Sequence, residues 1–191
     1  MEKTRLEAFS DGVLAIIITI MVLEIKIPQG HELEDLIPLI PVFLSYVMSF
    51  VYVGIYWGNH HHLLQTTHKV NSGIMLANLH LLFWLSLVPL TTEWVGETHF
   101  SKIPMAFYGI NLFLAASAYY LLQKAVDSST VKNQKLRAAL KKHQTKGYIS
   151  QVLYLVGIVL AFFQPYLSFA IFFIVAIIWI IPAKEIEKVL G

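Results

Sequence analysis

Long apolar runs separated by short polar segments dominate the chain. A helix of about 20 apolar residues spans the hydrocarbon core of a bilayer, and six runs approach that length. They cover residues 6–25, 36–57, 74–90, 103–122, 148–163 and 166–181. The last two are short and are joined by Gln164 and Pro165, so a re-entrant pair is the one alternative to six full spans.

These runs predict helices rather than strands. Membrane strands need only about 10 residues of alternating polarity, and a segment in hydrocarbon must satisfy its own backbone hydrogen bonds. The first run contains polar residues, and residues 24–28 do not form a cleavage site made of small residues, so it is not a signal peptide. The pattern predicts an all-α membrane protein with six transmembrane helices per subunit, in one domain over residues 1–191.

Composition and charge agree with a membrane protein and predict its orientation. Hydrophobic residues make up 57% of the chain and charged residues 14%, whereas about a quarter of a soluble domain is charged. With six spans and a cytoplasmic N-terminus, every Lys and Arg except Lys26 and Lys102 falls on the inner side. The positive-inside rule therefore predicts that both termini are cytoplasmic.

The basic segment over residues 127–146 is explained by this topology, so it does not indicate nucleic-acid binding. Its helical spacing predicts either a short cytoplasmic helix or an extension of the fifth helix. A contact with anionic lipid is the less favoured interpretation of its charges.

The first run carries the most unusual chemistry. An ionisable residue such as Asp11 costs about 3 kcal/mol inside a membrane helix, so it needs a partner and usually marks function. At 100° per residue, a separate stripe forms on another face of the helix. The stripe consists of Arg5, Phe9, Gly12, Ile16, Thr19, Ile20 and Leu23. Spacing alone leaves two interpretations open, namely helix packing or lipid contact, and a pore lining of aliphatic side chains.

The start of this run resembles the signature of the transmembrane protein 175 family of potassium channels. The matching residues are Arg5, Phe9, Ser10, Asp11 and Gly12. The resemblance implies a homotetramer in a lipid bilayer, with the first helix lining a central pore for potassium ions and with no cofactor. It places the constriction at Ile16, further rings at Ile20 and Leu23, and a hydroxyl layer at Thr19. With a single repeat, it implies a prokaryotic plasma membrane.

In that family the signature residues hold the first helix to its neighbours rather than touching the ion. The third run offers partners, because Asn78, His80 and Trp84 are polar or amphipathic residues in an otherwise apolar segment. We expect Ser10, Asp11, His80 and Trp84 to form one hydrogen-bonded group.

Two other functions stay open beside a channel. One is a secondary transporter with Asp11 and His80 as an ion or proton relay, although broken helices at mid-membrane would be expected for it. The other is a non-conducting scaffold. Nucleotide-binding and common hydrolase motifs are absent, so no enzyme is predicted. His60, His61 and His62 point in different directions on a helix, so no metal site is expected there.

Overall fold

The chain folds into a bundle of helices. The structure, a computed structural model, describes residues 2–67, 69–130 and 134–180, and the side chains among these outside 128–144. Within this part there is no strand. Its helices are α1 (Lys3–Leu23), α2 (Ile40–Gln65), α3 (Ser72–Ser86), α4 (Val88–Glu97), α5 (Lys102–Thr130), α6 (Gln134–Ala161) and α7 (Pro165–Ile180). A 3-10 helix, Leu33–Leu39, leads into α2.

The six predicted runs correspond one by one to apolar helical segments of the described chain. Four segments are long and apolar enough to cross a membrane: Lys3–Leu23, Leu33–Gln65, Ser72–Glu97 and Lys102–Asp127. Two shorter apolar helices follow, Thr145–Ala161 and Pro165–Ile180. The all-helical prediction is confirmed, and the six runs fit these segments.

A break at Leu87 divides the third span into α3 and α4, which we did not predict. Pro89 has no N–H to donate to the carbonyl of Leu85, so a regular helix cannot pass through it unchanged. At the break, the Leu87 N–H bonds to the carbonyl of Trp84, three residues back, at 3.3 Å. In a regular α-helix it would bond to the carbonyl four residues back. The span then continues past the predicted end at residue 90 and reaches Glu97.

The basic segment extends the fifth span. α6 begins at Gln134, well before the predicted start at residue 148, and runs without interruption to Ala161. Of the two forms predicted for this segment, the structure has the extension of the fifth helix. The side chains of Lys132, Lys135, Arg137, Lys141, Lys142, Lys184 and Lys188 lie outside the part that the structure describes.

The closest packing surrounds α5, which contacts α3, α4, α6 and α7. Phe172 of α7 is fully buried, and its ring lies against Gly109 of α5 and Gly157 of α6. A Cβ at either glycine would overlap this ring. The two glycines therefore allow three helices to approach closely around one aromatic side chain.

α1 lies at the edge of the bundle. It packs against α2, α3 and α4. Of the residues in its most apolar stretch 28% are buried, compared with 56% for α5. One long side of α1 is therefore uncovered within a single chain, and it must face lipid or another chain.

Candidate functional site

α1 has one buried face and one uncovered face. Residues at intervals of three or four are buried, because one side of a helix recurs every 3.6 residues. They are Leu6, Ser10, Leu14, Ile17 and Met21. On the opposite, uncovered face lie Arg5, Phe9, Gly12, Ile16, Thr19, Ile20 and Leu23. The structure thus brings the whole predicted stripe onto one surface, which we call the α1 stripe.

From Ile16 to Leu23 the α1 stripe is aliphatic, with the one hydroxyl of Thr19. Ile16 is 59% exposed and Leu23 is 79% exposed. A Cβ placed on Gly12 meets nothing within 4 Å, so the surface is open there as well. Thr19 donates its hydroxyl hydrogen to the carbonyls of Ile16 at 2.9 Å and Ala15 at 3.1 Å. The lone pairs of its oxygen remain available to contact a cation.

A buried chain of hydrogen bonds joins α1 to α2 and α3. Asn78 Nδ2 on α3 donates to Ser10 Oγ at 2.9 Å, and Ser10 donates to the Leu6 carbonyl at 2.8 Å. Asn78 Oδ1 accepts from His60 Nε2 on α2 at 2.7 Å. Ser10, His60 and Asn78 are all buried. This chain fixes the rotation of α1 against its neighbours, because each bond has a defined direction.

Asp11 has a separate partner at the surface of the chain. Trp57 Nε1 on α2 donates to Asp11 Oδ1 at 3.0 Å, with both side chains partly open. On α3, Trp84 Nε1 donates to His80 Nε2 at 2.9 Å, one helical turn away.

The expected group of Ser10, Asp11, His80 and Trp84 is divided within one chain. Ser10 bonds to Asn78 and Asp11 bonds to Trp57, while His80 and Trp84 bond to each other. The physical reason is angular. His80 follows Asn78 by two residues, which is about 200° around a helix, so it faces away from the side that meets Ser10.

Our sequence reasoning missed Trp57 and His60 as partners of the signature. From the sequence, His60 is considered only as a metal ligand, together with His61 and His62, and Trp57 is assigned no role. They are three residues apart, so they share one face of α2. That spacing places both on one side of α2, but which side of α2 meets Ser10 and Asp11 depends on how the helices cross, and the sequence does not show it.

The three consecutive histidines do not share a site. His60 is buried against Asn78, His61 is exposed and contacts Gln65 at 2.8 Å, and His62 lines a groove beside Trp179. Among the residues that the structure describes, no group of three or more His, Cys, Asp or Glu side chains could hold a metal ion.

The C-terminal end of α1 is charged. Glu24 caps the helix immediately after Leu23. Lys26 forms a salt bridge to Glu97 of α4 at 3.0 Å. The hydrogen bond to Glu97 and the charge of Glu97 raise the pKa of Lys26 above its usual value.

The fold defines the class of the protein, which is a polytopic helical membrane protein. It matches the crystal structure of a lysosomal potassium-selective channel TMEM175 homolog from Chamaesiphon minutus with a TM-score of 0.83 and 28% sequence identity. The match covers 95% of this chain and 98% of that one.

Sequence comparison identifies the family. The family described as "Endosomal/lysosomal potassium channel TMEM175" matches residues 5–89. A potassium channel of a Chryseobacterium species is 55% identical over 98% of this chain and 97% of its own length. A potassium channel of Chamaesiphon minutus is 33% identical over 92% of each chain. The chain belongs to the TMEM175 family, which confirms the resemblance of its first helix.

Membership of the TMEM175 family also indicates where the protein is located. It is an integral membrane protein of an ion-channel family, and the two relatives described above are bacterial. A prokaryotic membrane is therefore its location.

Proposed function

We propose that this chain is a potassium-permeable cation channel, with four copies placing α1 around a central pore. Each copy would be one six-helix domain over residues 1–191, with both termini cytoplasmic. Bacterial relatives that are named potassium channels support potassium as the permeant ion. The observation that carries the proposal is the α1 stripe, an uncovered surface that is mainly aliphatic from Ile16 to Leu23 and lies opposite a face held by hydrogen bonds.

The proposed mechanism is passive conduction through a hydrophobic constriction. Four Ile16 side chains facing one axis would form an apolar ring, with Ile20 and Leu23 forming further rings toward the C-terminal end of α1. Such rings block ions by excluding water until they widen. The Thr19 oxygens would supply a polar layer between the rings. No cofactor is required, and the protein's partners are its own copies and the lipid bilayer.

The hydrogen bonds on the buried face of α1 would fix which of its side chains point into the pore. Ser10 is tied to α3 through Asn78, and Asp11 is tied to α2 through Trp57. A helix held at two adjacent residues by two neighbours cannot rotate freely. We therefore assign the signature residues Ser10 and Asp11 a positioning role, with Gly12 and Phe9 on the surface beside the pore and Arg5 near its cytoplasmic mouth.

A transporter relay receives less support. Asp11 and His80 belong to separate pairs, so the described part of one chain offers no continuous path for a proton or ion between them. A transporter would show slow flux that is coupled to a gradient, whereas a scaffold would show no flux.

The first test is a planar-bilayer recording of the purified protein in a potassium and sodium gradient. We expect a reversal potential shifted toward potassium for the wild type and a smaller shift, with larger sodium current, for Ile16→Asn. Ile17→Val, a buried change on the other face of α1, is the matched control and should conduct like the wild type. Currents indifferent to Ile16→Asn would place the constriction elsewhere.

A further inference from the structure

A small aromatic cavity lies inside each chain, away from the α1 stripe. It is enclosed by α2, α5, α6 and α7 and has a volume of about 40 Å³. Its walls include several tyrosines, among them Tyr52, Tyr56, Tyr119 and Tyr154. We call it the tyrosine cavity.

Two polar groups at the tyrosine cavity lack a protein partner. Tyr56 is 8% exposed, and no hydrogen bond to its hydroxyl exists in the described structure. The amide of Gln151, on α6, lines the same cavity and likewise has none among the described residues. Neither group is fully enclosed, so a small molecule in the cavity can reach both and supply the missing hydrogen bonds.

An open groove adjoins this cavity. It lies between α2 and α7, has a volume of about 340 Å³, and is lined mainly by apolar residues and glycines. Ile55, Asn59 and Trp179 line both spaces, so the groove and the cavity are neighbours. A Cβ placed on Gly54 or Gly58 meets nothing within 4 Å, so these glycines leave the groove empty. We call it the α2–α7 groove.

We propose that the α2–α7 groove and the tyrosine cavity together bind one uncharged single-chain amphiphile, such as a long-chain alcohol or a monoacylglycerol. Its alkyl chain lies in the groove and its hydroxyl reaches Tyr56 and Gln151. The site lies toward the end of the bundle that holds the start of α1, so the ligand enters from the predicted cytoplasmic leaflet.

The sizes of the two spaces select this class of ligand. One water molecule needs a cavity volume of about 10–15 Å³. The tyrosine cavity, at about 40 Å³, therefore accepts a few heavy atoms and is too small for a phospholipid headgroup. The larger groove is apolar and open, so it suits a hydrocarbon chain. None of the lining residues that the structure describes is an Asp, Glu, Lys or Arg, and an ion without a charged partner is costly to bury.

The test is photolabelling of the full-length protein in liposomes with octan-1-ol that carries a diazirine. We expect saturable labelling of α2, α5 and α6 residues around the tyrosine cavity, mapped by mass spectrometry of peptides. Unlabelled dodecan-1-ol should compete, and dodecyl phosphate, which has the same chain and a charged head, should not. Labelling needs no ion conduction, so its result is separate from that of the channel proposal.

Two variants divide the site into its parts. Gly58→Leu fills the groove and should reduce cavity labelling at least several-fold, with Gly54→Val as a second variant if the first does not fold. Tyr56→Phe removes only the hydroxyl and should weaken competition by dodecan-1-ol by about fivefold. Tyr46→Phe changes a half-buried tyrosine of α2 outside both spaces and should change neither result.

Three outcomes would overturn the proposal. Labelling spread evenly over the lipid-facing helices, without competition, would mean that no site exists. Competition by dodecan-1-ol that Tyr56→Phe leaves unchanged would mean that the hydroxyl of the ligand does not reach Tyr56. An unlabelled groove in the wild type, combined with loss of assembly in Gly58→Leu, would mean that a second copy of the chain covers the groove.

Discussion

Asn78 is the residue that joins three helices behind the α1 stripe. It donates to Ser10 of α1 and accepts from His60 of α2. Both partners are buried. Loss of its side-chain amide would leave the buried His60 Nε2 without this partner, while Ser10 would keep only its bond to the Leu6 carbonyl. A buried polar group left unpaired costs more than the net gain of a typical hydrogen bond.

We therefore expect Asn78→Ala to destabilise the protein by roughly 1–3 kcal/mol for the orphaned His60 nitrogen, with a smaller loss from the bond to Ser10. Thermal unfolding of the purified protein, followed by size-exclusion chromatography, measures this change. Ser86→Ala on the same helix is the control, because Ser86 is exposed and bonds only the Phe83 carbonyl. Equal losses in the two variants would contradict the structural role of Asn78.

The bond between Asp11 and Trp57 leads to a second prediction for single residues. A double-mutant cycle with Asp11→Ala and Trp57→Phe should reveal a coupling of about 0.5–3 kcal/mol in stability, as is usual for residues in contact. Asp11→Ala should also alter the assembled channel's current, since it loosens α1 on α2. The pair Asp11→Ala and Trp94→Phe has no shared contact and should be additive within about 0.5 kcal/mol.

Single residues also show how far sequence could reach. Ser10 and Asn78 were recognisable because polar residues in apolar helices need partners. The pairing of Asp11 was not recognisable, because any polar group on a neighbouring helix could satisfy it. Trp57 is the partner because it lies on α2 opposite Asp11. That position depends on how the two helices cross, and neither sequence alone shows the crossing.

Among the helices, the contact around Phe172 leads to a prediction about packing. Gly109→Ala or Gly157→Ala would place a methyl group where the Phe172 ring lies. Overpacking of this kind costs about 1–3 kcal/mol, so we expect lower thermal stability in both variants. Gly147→Ala, whose Cβ would meet nothing within 4 Å, should unfold at or above the wild-type temperature. Unchanged thermal stability of Gly109→Ala would mean that α5, α6 and α7 pack less closely than the structure shows.

The helix boundaries show which part of the fold hydropathy could not predict. The predicted third span ends at residue 90, and polar residues follow it. Thr91 and Thr92 are nevertheless buried, and their hydroxyls donate to carbonyls of the preceding turn, as in the 2.6 Å bond from Thr92 to Val88. A hydroxyl that bonds a carbonyl of its own helix allows a polar residue to lie within a membrane helix. A hydropathy scale does not include this hydrogen bond, so it ends the span too early.

For the whole molecule, charge is unevenly placed at the two ends of α1. The C-terminal end of α1 carries Glu24, with Glu93 near it. The charge of Lys26 is paired with Glu97 in a salt bridge. The C-terminus of a helix also carries a partial negative charge. In the proposed tetramer, four such ends would surround the outer mouth of the pore and raise the local concentration of cations.

This arrangement predicts that Glu24→Gln lowers single-channel potassium current at low ionic strength without moving the reversal potential. The reversal potential depends on the constriction, whereas the mouth only supplies ions to it. Because the Debye length falls from about 30 Å at 0.01 M to about 3 Å at 1 M salt, the difference from the wild type should shrink as salt is added. Glu34→Gln, in the exposed segment before α2, is the control and should have a smaller effect at every salt concentration. A Glu24→Gln current that stays reduced at 1 M salt would point to a change in pore shape, and an unchanged current at low salt would place Glu24 away from the path of the ion.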